Sequence, residues 1–335
     1  MVITIESNAD MPMCLGTEAK QLEKARELAE AHYNLGVEKS EGVEVQGFYS
    51  RTFIVTLQDK MEVVIQFRPE PLDLAPFKLA RKTLGDVVPE IELLSDKDLE
   101  KEKIWTFCMT KMPGRVWLNA IGGPTMADAN VSINKSLGRI FSQGYIEGES
   151  TEMVERDIRP HLEMLVASEN SAVRPFRDVS KEFLRKLDTL KVLPLFVSHF
   201  SLSQLNILVD ENHQVSGIVD WELSQPLPFG MGFARIHTLA GEYRDGEFEM
   251  PEKFEDAERG FWDEVFKGLT PDVRDILGAN LEAIQMAVWL GTLLDTFHVD
   301  AGQIGNCNPV TLRALPKFLS YRLPSLRGLD PPYSN

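Results

Sequence analysis

Asn206 and Asp220 bracket two short runs of apolar alternation joined by Glu211-Asn212-His213-Gln214. A hairpin there would bring an amide oxygen and a carboxylate to one end. Those two oxygens can share a Mg²⁺, a hard cation that takes oxygen ligands. Upstream stand His199 and Ser201. A serine hydroxyl has no basicity near neutral pH, so Ser201 is no general base by itself. It could act as a nucleophile paired with His199, but the sequence shows no oriented acid–base pair. The plainer reading is a serine that shapes a pocket and a histidine hydrogen-bonded within its own loop. Phe200 and Glu222 are candidates for the wall of such a pocket; Glu222 could also serve as a base, although adjacent residues usually point apart.

The elements that must carry these residues can be read from the apolar pattern. Residues 17–35 form a helix in which Leu22, Ala25, Leu28, Ala29 and His32 share a face, with Gly36 as its expected C-cap. Two β-rich runs follow, 42–57 and 61–67, around the turn Gln58-Asp59-Lys60. A second helix is expected over 72–84, ended by Gly85, and a further strand over 104–111. Beyond Pro113-Gly114 the sequence turns mainly helical, with periodic segments over 181–190, 256–267 and 281–297. The acidic run 245–256 reads as a solvated loop, and the residues after Pro316 as a surface wrap. The composition shift predicts an N-terminal lobe over 1–112 and a helical C-terminal lobe over 113–335 that carries the hairpin region 197–222.

Bulk properties narrow the function. The chain has 335 residues, 43% hydrophobic and 26% charged, and a formal net charge of −16. A field of that sign repels polyanions, which argues against nucleic-acid or anionic-membrane partners. Cys14, Cys108 and Cys307 lie too far apart for a disulfide framework or a zinc motif. The first ten residues lack a basic, long-apolar secretory signal, and the apolar stretch 283–294 is too short to span a bilayer. A cytoplasmic, reduced protein acting on a small-molecule ligand is expected.

Several motifs in order carry a family resemblance. Ser198-His-Phe-Ser-Leu-Ser-Gln-Leu-Asn-Ile-Leu-Val-Asp210, then Val215-Ser-Gly-Ile-Val-Asp-Trp-Glu222, resembles the aminoglycoside-phosphotransferase and choline-kinase superfamily. Pro228-Phe229-Gly230, Gln66-Phe67-Arg68-Pro69 and Leu84-Gly85-Asp86-Val87-Val88-Pro89 are similar to a fungal branch of it. The resemblance implies an α+β fold of protein-kinase type, bilobal, with a small β-rich N-lobe and a larger, mainly helical C-lobe. It implies ATP and Mg²⁺ as cofactors, with Asn206 and Asp220 as metal ligands.

The resemblance also exposes departures. Ser201 stands where the family has its catalytic aspartate. Gln66 falls at the phosphate-pairing lysine; it can donate a hydrogen bond but cannot offset charge, and Arg68 either substitutes for it or is an exposed strand-end arginine. The 72–84 helix has only Asp73 in place of the clamping glutamate, and Asp73 suits a helix N-terminus better. The 46–51 loop lies where a phosphate-covering loop would, with Ser50 as a candidate phosphate contact. Phe48 and Tyr49 suit an apolar pocket instead, and an ordinary hairpin turn explains the single Gly47 equally well. Three functions follow: a degenerate phosphotransferase fold repurposed to act on a small organic metabolite of fungal secondary metabolism in the inter-lobe cleft; an ATP-dependent small-molecule phosphotransferase; or a non-catalytic pseudokinase. The substitutions favour the first.

Overall fold

Thr17 starts the first helix, its hydroxyl accepting from the Lys20 amide at 3.4 Å. The computed structural model describes residues 4–44, 46–120, 126–300, 302–305 and 307–324. Helix α1, Glu18–Tyr33, ends at Asn34 in the left-handed conformation with φ 52°. The expected cap at Gly36 is therefore displaced by an asparagine, the other residue that tolerates that region.

Chain contacts divide the protein into two compact units, Met1–Arg81 with Asp86–Pro113, and Lys82–Gly85 with Gly114–Asn335. The first is built on a five-stranded antiparallel sheet of β1 Val37–Gly42, β2 Arg51–Leu57, β3 Glu62–Arg68, β4 Ile91–Leu94 and β5 Trp105–Thr110. Their order is β1-β2-β3-β5-β4. The first strand begins upstream of the expected run, and β4 had no counterpart in the sequence reading. Along β2 and β3, Phe53, Val55, Leu57, Val63, Ile65 and Phe67 are buried at alternate positions and cluster with Ala25, Leu28 and Ala29 of α1. Period two on the strands and 3.6 on the helix thus make one core. Helix α2, Ala75–Leu84, starts later than expected because Asp73 caps it, accepting from the Ala75 amide at 2.9 Å. Arg68 is 6% exposed, so the exposed strand-end alternative for it is corrected.

In the second unit the helices Met126–Phe141 and Phe254–Gly268 lie against each other, closely at Gly138. A Cβ on Gly138 would stand 2.3 Å from the Phe261 carbonyl oxygen. Gly138→Ala is expected to cost about 1–3 kcal/mol by overpacking, read as a lower urea midpoint. An unchanged midpoint would mean that the two helices part freely. The helix Leu281–Thr296 is buried on almost every side, which is why its sequence is apolar all round. Among the described residues no single helix is long and apolar enough to cross a membrane.

Two further expectations are corrected here. The acidic run is no plain loop: Glu242–Arg244 and Glu247–Glu249 pair as a hairpin, and Phe248 and Phe254 are buried. Pro316 sits inside the helix Pro309–Ser320, whose Phe318 and Leu319 are buried, as is Leu323. The surface wrap assigned to the residues beyond 324 lies outside the described residues. Together, a β-rich unit followed by a mainly helical one gives the α+β architecture of kinase-like folds.

Candidate functional site

The site in the C-terminal unit is set by a hairpin of Ile207–Val209 and Val215–Ile218. Its turn is tied by the Asp210 carboxylate, which accepts from the amides of Asn212 and Gln214 at 2.8 Å each. Ile218 pairs with Ile207, and the Val219 amide donates to the Asn206 carbonyl at 2.9 Å. Asn206 and Asp220 are thereby held at the same end of the ladder. The chain then turns through Asp220 at φ 68°, a region costly for a residue with a Cβ. Trp221 follows, fully buried, its indole N–H on the Ile218 carbonyl at 2.8 Å. That anchor leaves the Asp220 side chain exposed.

The loop before the hairpin is fastened from behind. His199 is 2% exposed, packs edge-on against Trp221 and donates from Nε2 to the Val219 carbonyl at 2.8 Å. Burial pushes this imidazole down to about 4, so it is neutral at physiological pH. Ser198 donates to the Gln225 carbonyl at 2.5 Å, and its Cβ is approached by Gly232, where a side chain would stand 2.5 Å away. With its back fixed, the loop presents Ser201. The serine hydroxyl donates to Asp220 Oδ2 at 3.3 Å, and Asn206 Nδ2 reaches the same oxygen at 3.3 Å. Ser201 and His199 are not hydrogen-bonded to each other: His199 Nε2 is on the Val219 carbonyl and the Ser201 hydroxyl is on Asp220.

Ser201, Asn206 and Asp220 therefore form one cluster. Asn206 Nδ2 donates to the Ser201 carbonyl at 2.9 Å. A carbonyl only accepts, so this bond orients the amide and leaves Oδ1 to face other ligands. An amide oxygen beside an exposed carboxylate fits a Mg²⁺ whose remaining positions are filled by water or ligand oxygens. Such a cation would neutralise charge on an anionic ligand. Among the described residues no three His, Cys, Asp or Glu side chains converge as a metal site, so a cation would depend on Asn206 and Asp220.

In the N-terminal unit the structure brings Gln66 and Ser50 together. Gln66 Nε2 donates to Ser50 Oγ at 3.1 Å and to Thr52 Oγ1 at 3.2 Å. The Gln66 amide is thus engaged within the sheet, and Ser50 is buried. The loop carrying Ser50 connects β1 to β2 and is tightly fastened. Gln46 exchanges two 2.8 Å hydrogen bonds with the Thr52 backbone. Arg51, a positioning residue that sequence reasoning missed, donates to the carbonyls of Gly47, Ser50 and Ile5 at 3.1–3.3 Å. Phe48 and Tyr49 are exposed on this loop, and Arg68 is buried at the end of β3. Of the pocket candidates, then, Phe48 and Tyr49 belong to the first unit, while Phe200 and Glu222 belong to the second.

Sequence reasoning also missed an ion pair beside the loop. Arg235 donates to Asp295 Oδ1 from Nη2 at 2.8 Å and from Nε at 3.2 Å. Burial nevertheless pushes the Asp295 carboxyl up, with the Arg235 charge acting against that rise. The pair borders a cavity of about 680 Å³ whose wall also includes Leu202, Gln204, Leu205, Glu242 and Tyr243. Nothing in the local spacing of Arg235 and Asp295 signals their contact, because they lie on segments far apart in sequence.

No protein-family model matches the chain, and no curated protein matches it. Solved structures do share its fold. A Plasmodium vivax ethanolamine kinase superposes with a TM-score of 0.55 at 12% identity, covering 93% of this chain and 90% of that one. The aminoglycoside phosphotransferase APH(4)-Ia superposes with a TM-score of 0.51 at 11% identity, covering 84% of this chain and 100% of that one. At such identities the likeness is one of fold.

Proposed function

We propose that this kinase-fold protein has a degenerate phosphoryl-transfer site, repurposed to act on a small organic metabolite such as those of fungal secondary metabolism. The observation that carries the reading is the partner of Asp220. It receives the hydroxyl of Ser201, where a phosphotransferase of the resembled family has a second carboxylate to accept the substrate's proton. A hydroxyl that donates to a carboxylate cannot do that work. The N-terminal unit agrees, since Gln66 spends its amide on Ser50 and Thr52 and brings no charge to a phosphate. The cavity beside the 199–206 loop has the size of a small-molecule pocket and mixes apolar walls with a few polar groups. A cyclisation or rearrangement of a bound metabolite, which needs positioning and few charged groups, suits these residues.

A second reading, ATP-dependent phosphorylation of a small hydroxyl or amine compound, is favoured by one observation. Asn206 and Asp220 keep the arrangement that could hold Mg²⁺. Calorimetric titration with ATP, with and without Mg²⁺, separates the two. The repurposed site is expected to bind no ATP at millimolar concentration and to transfer no phosphate to a panel of alcohols and amines. Micromolar, Mg²⁺-dependent binding that disappears in Asp220→Asn, accompanied by phosphoryl transfer, would overturn the proposal in favour of the kinase.

A further inference from the structure

The cavity of about 680 Å³ is bounded by the Ser201 loop itself. Leu202, Ser203, Gln204 and Leu205, all on its wall, are the whole stretch between Ser201 and Asn206. The Leu118 amide donates to the Gln204 carbonyl at 3.1 Å, which fastens a second segment of the wall to that loop. Whatever fills the cavity therefore lies against the chain that carries the Asp220 cluster. The volume is about four times the roughly 150 Å³ of an apolar cavity that holds benzene, which gives room for a molecule of about three to four rings.

The charged side chains on this wall are spent on the protein. Arg235 holds Asp295 from Nη2 at 2.8 Å, and Glu242 accepts from Arg244 Nη2 at 2.8 Å. A cationic ligand would have to take a carboxylate from a guanidinium, and an anionic one the reverse, each at the loss of a pair already made. The threonine hydroxyls are spent as well: Thr238 donates to the Arg235 carbonyl at 2.7 Å and Thr296 to the Thr292 carbonyl at 2.8 Å. Against that stands apolar surface. Leu118, Leu205, Tyr243 and Met126 are between 37% and 53% exposed, and all four line this one cavity beside the buried Leu202 and Leu239. A lone exposed apolar residue is ordinary, whereas four on one concave wall mark surface kept for an apolar molecule. Ser203, Gln204 and Asn308 add uncharged polar side chains, which match hydroxyl or carbonyl groups rather than ions.

We infer that the substrate of this site is a neutral, largely hydrocarbon molecule of about three to four rings, bearing hydroxyl or carbonyl groups and no charge. The inference rests on the function proposed above and narrows its substrate. Such a molecule leaves both ion pairs intact while it covers Leu118, Leu205, Met126 and the Tyr243 ring. An ammonium or carboxylate compound of the same shape gains the same apolar contact but gives up its hydration for a wall whose counter-charges are already taken.

Three fluorescent probes of one shape test this: pyrenemethanol, pyrenemethylammonium and pyrenecarboxylate, titrated into the full-length protein at neutral pH and followed by anisotropy. Pyrenemethanol is expected to bind saturably and at least about ten-fold more tightly than either charged probe. Leu118→Asp and Leu205→Asp, both at exposed positions, are each expected to weaken the alcohol about ten-fold and to narrow its lead over the ammonium probe. Ile276→Lys, at an exposed position outside the wall, should leave its affinity unchanged. If a variant does not fold, the order of the three probes in the unmodified protein decides alone. Equal affinities, a preference for a charged probe, no saturable binding, or the same loss in Ile276→Lys as in the wall variants would each overturn the inference. Its failure is distinct from that of the repurposed reading. Mg²⁺-dependent ATP binding with phosphoryl transfer would unseat that reading and leave the probe order as measured, whereas a reversed probe order without ATP binding would unseat the substrate class alone.

Discussion

Glu258→Ala is expected to remove about 3–5 kcal/mol of folding stability, the cost of breaking a buried polar pair by deleting one partner. Glu258 is 0% exposed and His237 1%. The carboxylate takes His237 Nδ1 on one oxygen and the Trp262 indole N–H on the other, the latter at 3.1 Å. Around them stand aromatic rings: Phe318 stacks on the imidazole, and Tyr321 meets it edge-on with centroids 5.0 Å apart. Alanine would leave two buried N–H or ring-nitrogen groups without a partner in surroundings that cannot supply one. The double variant His237→Phe with Glu258→Leu removes both polar members and should recover much of the loss. Urea unfolding of the single and double variants measures this. A single-variant loss under about 1 kcal/mol would show that the cluster relaxes or admits water.

Acidification should destabilise the C-terminal unit through His199. Its folded value, about 4, lies below the ordinary 6.5. Between those values the unfolded chain takes a proton that the folded chain refuses. Stability therefore falls as pH drops through this window, by up to about 3 kcal/mol, and is flat for this group above it. His161, also pushed down by burial, acts in the same direction. Asp295 acts in the opposite one: its raised folded value means that the native state binds its proton first, so its contribution grows on acidification. The His199→Phe variant isolates the histidine, since a phenyl ring cannot titrate. Urea midpoints across the window should slope less in the variant than in the parent protein. Parallel slopes would assign the acid sensitivity elsewhere.

The parts of the site that were legible in the sequence are those built from near neighbours. The hairpin joining Asn206 to Asp220 shows itself through apolar alternation and a polar turn, and its ladder then forces the two ends together. Thr17 as a helix start is legible for the same reason. What stayed hidden depends on tertiary contact. Arg68 could be read either way from its place at a strand end, and the fold buries it. Arg235 with Asp295, and His237 with Glu258, lie on separate helices or segments, and no spacing rule connects them. The 245–256 region is a different kind of miss. Its acidic residues suggested a solvated loop, but Asp245-Gly246, both at positive φ, is the dipeptide that favours a tight hairpin turn. The local signal was present and the charge count outweighed it.

The late position of the Pro309–Ser320 helix bears on how the protein is made. As the chain leaves the ribosome, the N-terminal unit possesses all five strands once Pro113 has emerged, and three of its four strand pairings join neighbours in sequence. The C-terminal unit must wait. The Met126–Phe141 helix emerges with Ile133, Leu137 and Phe141 uncovered until Phe254–Gly268 follows, and the ring that closes over His237 arrives only with Phe318 and Tyr321. For most of translation, then, a nascent half-domain displays apolar surface beside a finished one. That interval ends for the His237 cluster only when Pro309–Ser320 and Tyr321 arrive, since without Phe318 and Tyr321 the imidazole lacks the rings that cover it.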